Sequence, residues 1–502
     1  MKFKKITISF LVVFTLTILA KLMAFLSELV ISYYLGTSYK ADAFNTLNGV
    51  HLILYPMLSL GIWAVFLPVY KKISVTINVK EADILANKIL NLFILISLVF
   101  SVVLFFFADI IVGMVAPGFN HETKLLTTDL LQIVSIQYVF IIIASIYSAM
   151  LEAHKKFFAS KIREIVSYLP LFILGFFYYD EYGVKVFAYA LVFGSILRFL
   201  IVLPFLNWGY KFRIDLDLKN KNVIEIFKNF PAAITNAAVI QLNTLVDRML
   251  SSTLEIGAVS SLSYGQRLVN VFNGIVSTAI ATVWYPTATE LVAKNEKREL
   301  KNHLIKIIYL ISAVMIPVTF ISVFYSADIV STIFERGAFE QKSVTLTSLA
   351  FTGYILGLCF YSYKEIIDVV FYSNGDTKMV MKISIVTVLS NIILNLILIN
   401  ILGVFGLSLA TSLASMIGFI YSFFKIKKYV NIHAREITSE LIKIIVASLI
   451  SSTIAYIIYK YFMFALLLKL LSSVFITIIF YSLFLIIFKA KTIRIIIGYI
   501  KY

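Results

Sequence analysis

The polar and apolar positions of this chain fall into long apolar blocks separated by short polar turns. A helix needs about 20 apolar residues to cross the hydrocarbon core of a bilayer. Fourteen blocks meet that length, at about 6–35, 44–69, 86–116, 127–151, 163–179, 185–206, 226–253, 258–289, 303–330, 344–371, 380–401, 403–424, 440–459 and 465–488. Only Leu402, Gly403 and their neighbours separate the eleventh block from the twelfth, so that pair is the least distinct. The pattern predicts an all-α polytopic membrane protein of about fourteen spans. The opening Met1-Lys2-Phe3-Lys4-Lys5 resembles the start of a signal peptide. No small-residue cleavage site follows and the apolar run continues to Gly36, so it reads as an uncleaved first span. The longest cytoplasmic loop covers only about 207–226, too little chain for an aqueous catalytic domain.

An internal repeat organises the spans. Ala108-Asp109-Ile110 with Pro117-Gly118-Phe119 returns as Ala327-Asp328-Ile329 with Arg336-Gly337-Ala338-Phe339, an offset of 219. Phe66-Leu67-Pro68 returns as Trp284-Tyr285-Pro286 at offset 218, and Gly36 as Gly257 at offset 221. The common offset predicts two pseudo-symmetric six-span lobes, residues 1–222 and 223–430. Two additional spans and a cytoplasmic tail occupy 431–502. Six is even, so both lobes insert with one orientation, related by an axis along the membrane normal.

Composition sharpens this picture. Of 502 residues 60% are hydrophobic and 14% charged, against about 25% charged in an ordinary soluble domain. That excludes a soluble enzyme, a disordered chain and a disulfide scaffold; the single Cys359 cannot form an intramolecular bridge, and the five histidines are scattered. The net charge of +17 could point to nucleic acid, but its distribution points to a membrane. Of the 44 lysines and arginines, 32 fall on the side that holds both termini. Seven fall opposite (Lys40, Lys124, Lys185, Arg336, Lys342, Lys460, Lys469) and five within spans. Such a bias over short loops places both termini in the cytoplasm. The excess cations then serve topology and contact with anionic phospholipids.

The five cations within spans are Lys21, Arg198, Arg248, Arg267 and Lys364, and Glu28, Asp247, Glu365 and Asp368 accompany them. An ionisable group at mid-membrane costs roughly 2.5–3.5 kcal/mol to insert, so each should face a partner or a wet cavity. At about 1.5 Å per helical residue, Lys21, Arg267 and Arg198 come out deep in a core about 30 Å thick. A pocket of Lys21 and Arg267, assisted by Arg198 or Arg248, suits a phosphate or diphosphate, which arginine grips with a bidentate fork. Simpler readings stand beside this one. Lys364 and Asp368 are four apart and read as an internal ion pair; Lys21 and Glu28 are seven apart on one face and can pair; Arg198 can snorkel. Asp247 and Arg248 point about 100° apart on a helix and need separate partners. Asn391 and Asn395 share a face of the eleventh span and Thr411 lies in the twelfth. With Asp247 they supply oxygens suited to sodium, or interhelical hydrogen bonds. Spans 13 and 14 hold almost no interior polar residue and read as facing lipid or lining an apolar groove.

Several motifs then carry a family resemblance. Gly36 through Asp42-Ala43-Phe44, Leu67-Pro68, Ala116-Pro117-Gly118-Phe119 and Leu151-Glu152-Ala153-His154-Lys155-Lys156-Phe157-Phe158 resemble the first lobe of the MurJ/MviN lipid II flippases. So do Val246-Asp247-Arg248-Met249-Leu250-Ser251-Ser252, Ser263-Tyr264-Gly265-Gln266-Arg267-Leu268, Tyr285-Pro286, Phe334-Glu335-Arg336-Gly337-Ala338-Phe339 and Phe371-Tyr372-Ser373-Asn374-Gly375-Asp376-Thr377-Lys378 in the second. The resemblance covers roughly 10–430. It implies the multidrug/oligosaccharidyl-lipid/polysaccharide exporter superfamily, alternating access, a cationic cavity for a lipid diphosphate and an apolar groove at spans 13 and 14 for a polyprenyl tail. It also implies a sodium site at the positions matching Asp247, Asn391, Asn395 and Thr411. The sequence departs from the family where two first-span arginines are replaced by Lys21 and Ser27, where Tyr55 stands near an expected second-span arginine, and where an acid-glycine pair reads Leu60-Gly61. The candidate diphosphate cavity therefore comprises Lys21, Arg267, Arg198, Arg248, Glu28, Ser27, Tyr55 and Asp42.

The resulting expectation is a transporter, not an enzyme, in a bacterial inner membrane. It would flip an undecaprenyl-diphosphate-linked saccharide, lipid II first, to the outer leaflet, coupled to membrane potential or sodium. No cofactor beyond that ion is expected. Expected partners are the lipid-linked substrate, phospholipids and other cell-wall synthesis proteins, with no nucleic acid. A flippase for another lipid-linked glycan, such as a capsule or exopolysaccharide precursor, is the nearest alternative. A drug/cation antiporter would need an acidic cavity, and an intramembrane glycan polymerase a catalytic carboxylate; Asp42, Glu255 and Glu335 read as acids without partners.

Overall fold

The structure is a computed structural model. It describes the backbone of residues 2–462, 465–493 and 495, and their side chains except at 2–14, 60, 232–240, 242, 278, 279 and 434. The basic N-terminal side chains and most of the C-terminal tail counted above lie outside the described residues. Every regular element among the described residues is helical. In chain order these are α1 (Lys2–Leu35), α2 (Tyr39–Thr76), α3 (Val79–Phe106), α4 (Ala108–Val115), α5 (His121–Val134), α6 (Gln137–Ala153), α7 (Phe157–Tyr182), α8 (Lys185–Leu200) and α9 (Lys221–Ser251). They continue as α10 (Ala258–Ala293), α11 (Lys297–Phe324), α12 (Ser326–Phe334), α13 (Gln341–Ile355), α14 (Leu358–Ser373), α15 (Thr377–Lys425), α16 (Ala434–Tyr459) and α17 (Leu466–Ile487).

Local chemistry sets the ends. Side-chain oxygens of Asn78, Asn120, Asn220 and Asp376 accept hydrogen bonds from the first free backbone N–H groups of α3, α5, α9 and α15. α15 runs for 49 residues but contains Gly403 at φ +53°, ψ −127°, where the two expected spans join at a bend. Only glycine adopts that conformation without strain. α5 and α6 meet at a bend of 43°.

Among the described residues, nine helices are long and apolar enough to cross a membrane, or eleven when two bent pairs each count as one span. The sequence count of fourteen is larger for definable reasons. It divides α15 at Gly403, and it includes α7 and α9. α7 carries Lys161, Arg163 and Glu164 at one end and Asp180 and Glu181 at the other, and α9 is the least apolar of the long helices that begin mid-chain. The protein is a multi-pass membrane protein.

The repeat is visible element by element. α3 breaks at Phe107 into the short α4, and α11 breaks at Tyr325 into the short α12, each short helix with an aspartate in its first turn. Gly36 and Gly257 both adopt positive φ. Pro68 and Pro286 both lie inside long helices, α2 and α10.

Packing divides the chain into two compact units, residues 1–259 with 336–339, and 260–335 with 340–502. In the first, α2 packs against α6 and along α9, and α7 packs against α1 and α8. One apolar cluster gathers Phe66, Tyr70, Phe93 and Met150, and another gathers Phe44, Leu131, Leu171 and Phe187. In the second, α15 packs on α13 and α14, and α16 lies between α11 and α17. The inward faces of α16 and α17 are more polar than expected: Ser448, Ser451, Ser452, Ser473 and Thr477 are fully buried. Four of these hydroxyls donate back to carbonyls of their own helix. Small hydroxyl residues permit close helix approach, while Leu449, Ile457, Phe475 and Ile479 leave the outer faces apolar.

Candidate functional site

In the first unit one polar face runs along the middle of α2. His51, Tyr55 and Ser59 are four apart and share it. Gln137 of α6 lies 3.3 Å from the His51 ring, and the Ser59 and Ser145 hydroxyls are 2.8 Å apart. Arg198 reaches this face from α8. Its guanidinium lies 5.0 Å from the centre of the Tyr55 ring and donates to Ser167 Oγ on α7 at 3.0 Å. Arg198 therefore does not snorkel away from the lobe; it is held inside it by an aromatic face and a hydroxyl. The Arg198 Nε is buried and makes no hydrogen bond.

Arg163 belongs to the same wall and was missed in the sequence. It lies one turn before Ser167 on α7, donates to the Ala144 carbonyl at 3.2 Å, and leaves its buried Nε without a partner. Both arginines lie within electrostatic reach of Tyr55. At the first position of its apolar block, Arg163 reads from sequence as a loop cation. The position near which the family resemblance places a second-span arginine thus carries a tyrosine, with an arginine from α8 stacked on it.

The other candidates separate. Ser27 is buried and donates to the Tyr168 carbonyl at 3.0 Å, tying α1 to α7. Glu28 is buried, whereas Lys21, seven residues earlier, is exposed and makes no ion pair among the described residues. The pairing that their spacing allows does not form among the described residues. Asp42 is not without a partner: buried at the start of α2, it accepts the Gly257 N–H at 2.6 Å. Glu335 likewise accepts from the Ser331 hydroxyl. Asp247 and Arg248 do find separate surroundings. Asp247 accepts from Asn243 at 3.3 Å, and Arg248 lies across Gly49 of α2, where a Cβ would come within 2.9 Å of its Nε.

In the second unit Arg267 is half-buried on α10. Asn395 donates to Asn391 Oδ1 at 2.8 Å and Asn391 donates to Thr411 Oγ1 at 3.1 Å, so three of the four expected sodium ligands form one chain across the two halves of α15. Asp247, the fourth, belongs to the first unit. Lys364 and Asp368 form the expected ion pair at 2.8 Å.

Comparison with known proteins decides the family. The family described as "Lipid II flippase MurJ" matches residues 31–485. The chain belongs to the MurJ family. The "Probable lipid II flippase MurJ" of Rickettsia prowazekii is 27% identical over 421 residues, covering 81% of this chain and 82% of the relative. The "Lipid II flippase MurJ" of Thermosipho africanus is 27% identical over 415 residues, covering 82% and 84%. Among solved structures, a lipid II flippase MurJ in an inward closed conformation superposes with a TM-score of 0.83 at 26% identity, covering 95% of this chain and 98% of that one. An inward-facing multidrug transporter of the MOP superfamily superposes at 0.68 with 12% identity over 80% of this chain and 94% of that one, a likeness of fold alone. MurJ membership places the α2 polar face and its two arginines in a transporter scaffold.

Proposed function

We propose that this protein carries lipid II from the cytoplasmic to the outer leaflet of a bacterial inner membrane by alternating access, with both termini in the cytoplasm. The observation that carries this reading is the MurJ match over residues 31–485. The Arg198–Tyr55–Ser167 constellation, with Arg163 one turn away, supplies chemistry that suits it. A lipid diphosphate needs charge-assisted hydrogen bonds in a place where water is scarce. Neither guanidinium forms an ion pair among the described residues, each donating to a neutral oxygen, so both can turn N–H groups to phosphate oxygens without first breaking one. Tyr55 holds the Arg198 plane by its ring face, which fixes the fork before the ligand arrives. Lys21, exposed on α1, adds a further cation of the first unit in this reading, and Arg267 of the second unit is proposed separately as a substrate contact. The membrane potential favours outward movement of negative charge by about 2.3 kcal/mol per charge per 100 mV. Sodium is the proposed alternative source of coupling, with Asn391, Asn395 and Thr411 as its neutral ligands.

The test is transport of lipid II in reconstituted vesicles, read by accessibility of the headgroup to an external probe. Wild-type protein should expose the headgroup, and Arg198→Gln should slow this by about tenfold, the equivalent of roughly 1.4 kcal/mol. Wild-type vesicles that leave lipid II inside while exposing another lipid-linked glycan would replace the substrate. Charge reversal at Lys21 with undiminished transport would overturn its place in the cationic set, and the same result at Arg267 would remove that residue as a substrate contact.

A further inference from the structure

The second unit holds an open pocket of about 720 Å³ that the proposed transport site does not use. It is built around one stripe of α14. Tyr361, Lys364, Glu365, Asp368 and Tyr372 recur at helical spacing and all line it, and Tyr285 of α10 faces them. The stripe leads into the turn at 374–376, on the side that the charge bias assigns to the cytoplasm. The charges do not cancel. Lys364 engages Asp368 Oδ2 at 2.8 Å, but Asp368 Oδ1 is buried and accepts no hydrogen bond, although the residue is only 8% exposed. Glu365 is half-buried, and its carboxylate makes no hydrogen bond or ion pair among the described residues. Two carboxyl groups face one ammonium, so one acid is left without a counter-charge in an apolar setting, where uncompensated charge is costly.

We propose that this cavity binds a primary organic ammonium group. The volume lies in the range of pockets that hold small organic ligands rather than a bare ion. An alkylammonium has three N–H donors; the half-buried Glu365 carboxylate on the pocket wall offers acceptors, and Asp368 adds negative charge behind it. Tyr285 and Tyr372 are nearly half exposed, so their ring faces are open to a cation. Lys364 shows the geometry from within, as a tethered alkylammonium already seated on the other oxygen of Asp368. The ammonium has two sources: an inner-leaflet phospholipid with an ethanolamine headgroup, whose phosphate would lie near Lys364, or a soluble amine from the cytosol.

The experiment is calorimetric titration of the detergent-purified full chain with ethanolammonium chloride, against sodium chloride at equal ionic strength, and with dihexanoyl phosphatidylethanolamine against dihexanoyl phosphatidylglycerol. Ethanolammonium should bind and sodium should not displace it. Glu365→Gln, which keeps the Lys364–Asp368 pair, should weaken binding tenfold or more, and Asp368→Asn should do the same. Lys364→Met, which frees the second oxygen of Asp368, should tighten binding several-fold, an effect that a purely structural ion pair does not produce. Arg198→Gln should leave binding unchanged, which separates this site from the proposed transport site. A tenfold preference for the ethanolamine lipid over free ethanolammonium assigns the headgroup as source; equal affinity assigns the soluble amine. Binding that is indifferent to Glu365→Gln and Lys364→Met, or that sodium matches, overturns the proposal.

Discussion

At the residue scale, the decisive side chains are those whose surroundings cannot be read from their neighbours in sequence. Arg198 is one. Spacing placed it deep in a span and left local pairing, snorkelling and ligand binding open; the structure seats it on Tyr55 and Ser167. Tyr55→Leu removes the aromatic face and should weaken lipid diphosphate binding by about 1 kcal/mol, some fivefold, with thermal stability little changed. Binding to detergent-solubilised protein measures this, and an undiminished affinity would count against the stacked arginine. Glycines give a second contrast. Gly36 and Gly403 share φ +53°, but a Cβ at Gly36 would meet the Ala338 carbonyl oxygen at 2.2 Å, while one at Gly403 meets nothing within 4 Å. Gly403→Ala should therefore cost only the penalty of a backbone conformation that is essentially glycine's own, about 1–3 kcal/mol. Gly36→Ala should cost that plus a steric displacement, several kcal/mol in all. Thermal unfolding in detergent would rank the two, and equal destabilisation would refute the close approach of the 336–339 segment.

At the element scale, helix lengths and ends follow from local sequence, whereas interior polar groups answer to packing. Asp376 illustrates the first. It caps α15 through the Met379 N–H and also accepts from the Tyr429 hydroxyl at 2.7 Å, with Lys428 at 3.4 Å. The Tyr429 hydrogen bond, with smaller help from Met379 and Lys428, holds this carboxyl below its ordinary value of 3.8. A depressed folded-state pKa means that its contribution is complete above the unfolded value and is lost as pH falls through the folded one. The turn at 374–376 should thus stay closed at neutral pH and loosen only below about pH 4. Hydrogen exchange across 374–380 as a function of pH reads this directly, and Asp376→Asn should give the loosened pattern already at pH 7. The Asn391–Asn395–Thr411 chain illustrates the second. Interhelical hydrogen bonds in membranes average about 0.6 kcal/mol. Asn395→Leu should cost no more than about 2 kcal/mol in stability while removing any sodium dependence of transport. Sodium dependence that survives this change would remove the chain from the coupling site.

At the scale of the whole molecule, hydropathy and the placement of lysine and arginine define a topology. Both ends should lie in the cytoplasm, and reporters fused to each terminus check that; a periplasmic signal at either end would invert the assignment. Fold class and family were legible because they rest on long apolar blocks, on the 219-residue repeat and on motifs spread over roughly 10–430. The candidate site was legible only in part. Arg198 and the Lys364–Asp368 pair carried signals, since charge within an apolar block or i,i+4 spacing marks a residue by itself, whereas Tyr55 was reached only through the family resemblance. Arg163 did not, because a cation at the edge of a block looks the same whether it faces water or its own lobe. The hydroxyl-lined faces of α16 and α17 were invisible for a similar reason: serine and threonine scarcely lower the apolar average of a span, and only packing shows that they point inward. The sequence alone determined that the chain is helical, lies in a membrane and has a repeated architecture, because each follows from the cost of placing backbone and charge in hydrocarbon, a sum over local segments. Tertiary structure alone decided which polar groups are spent on one another and which remain for a ligand, because that depends on residues from helices far apart in the chain meeting within about 3 Å.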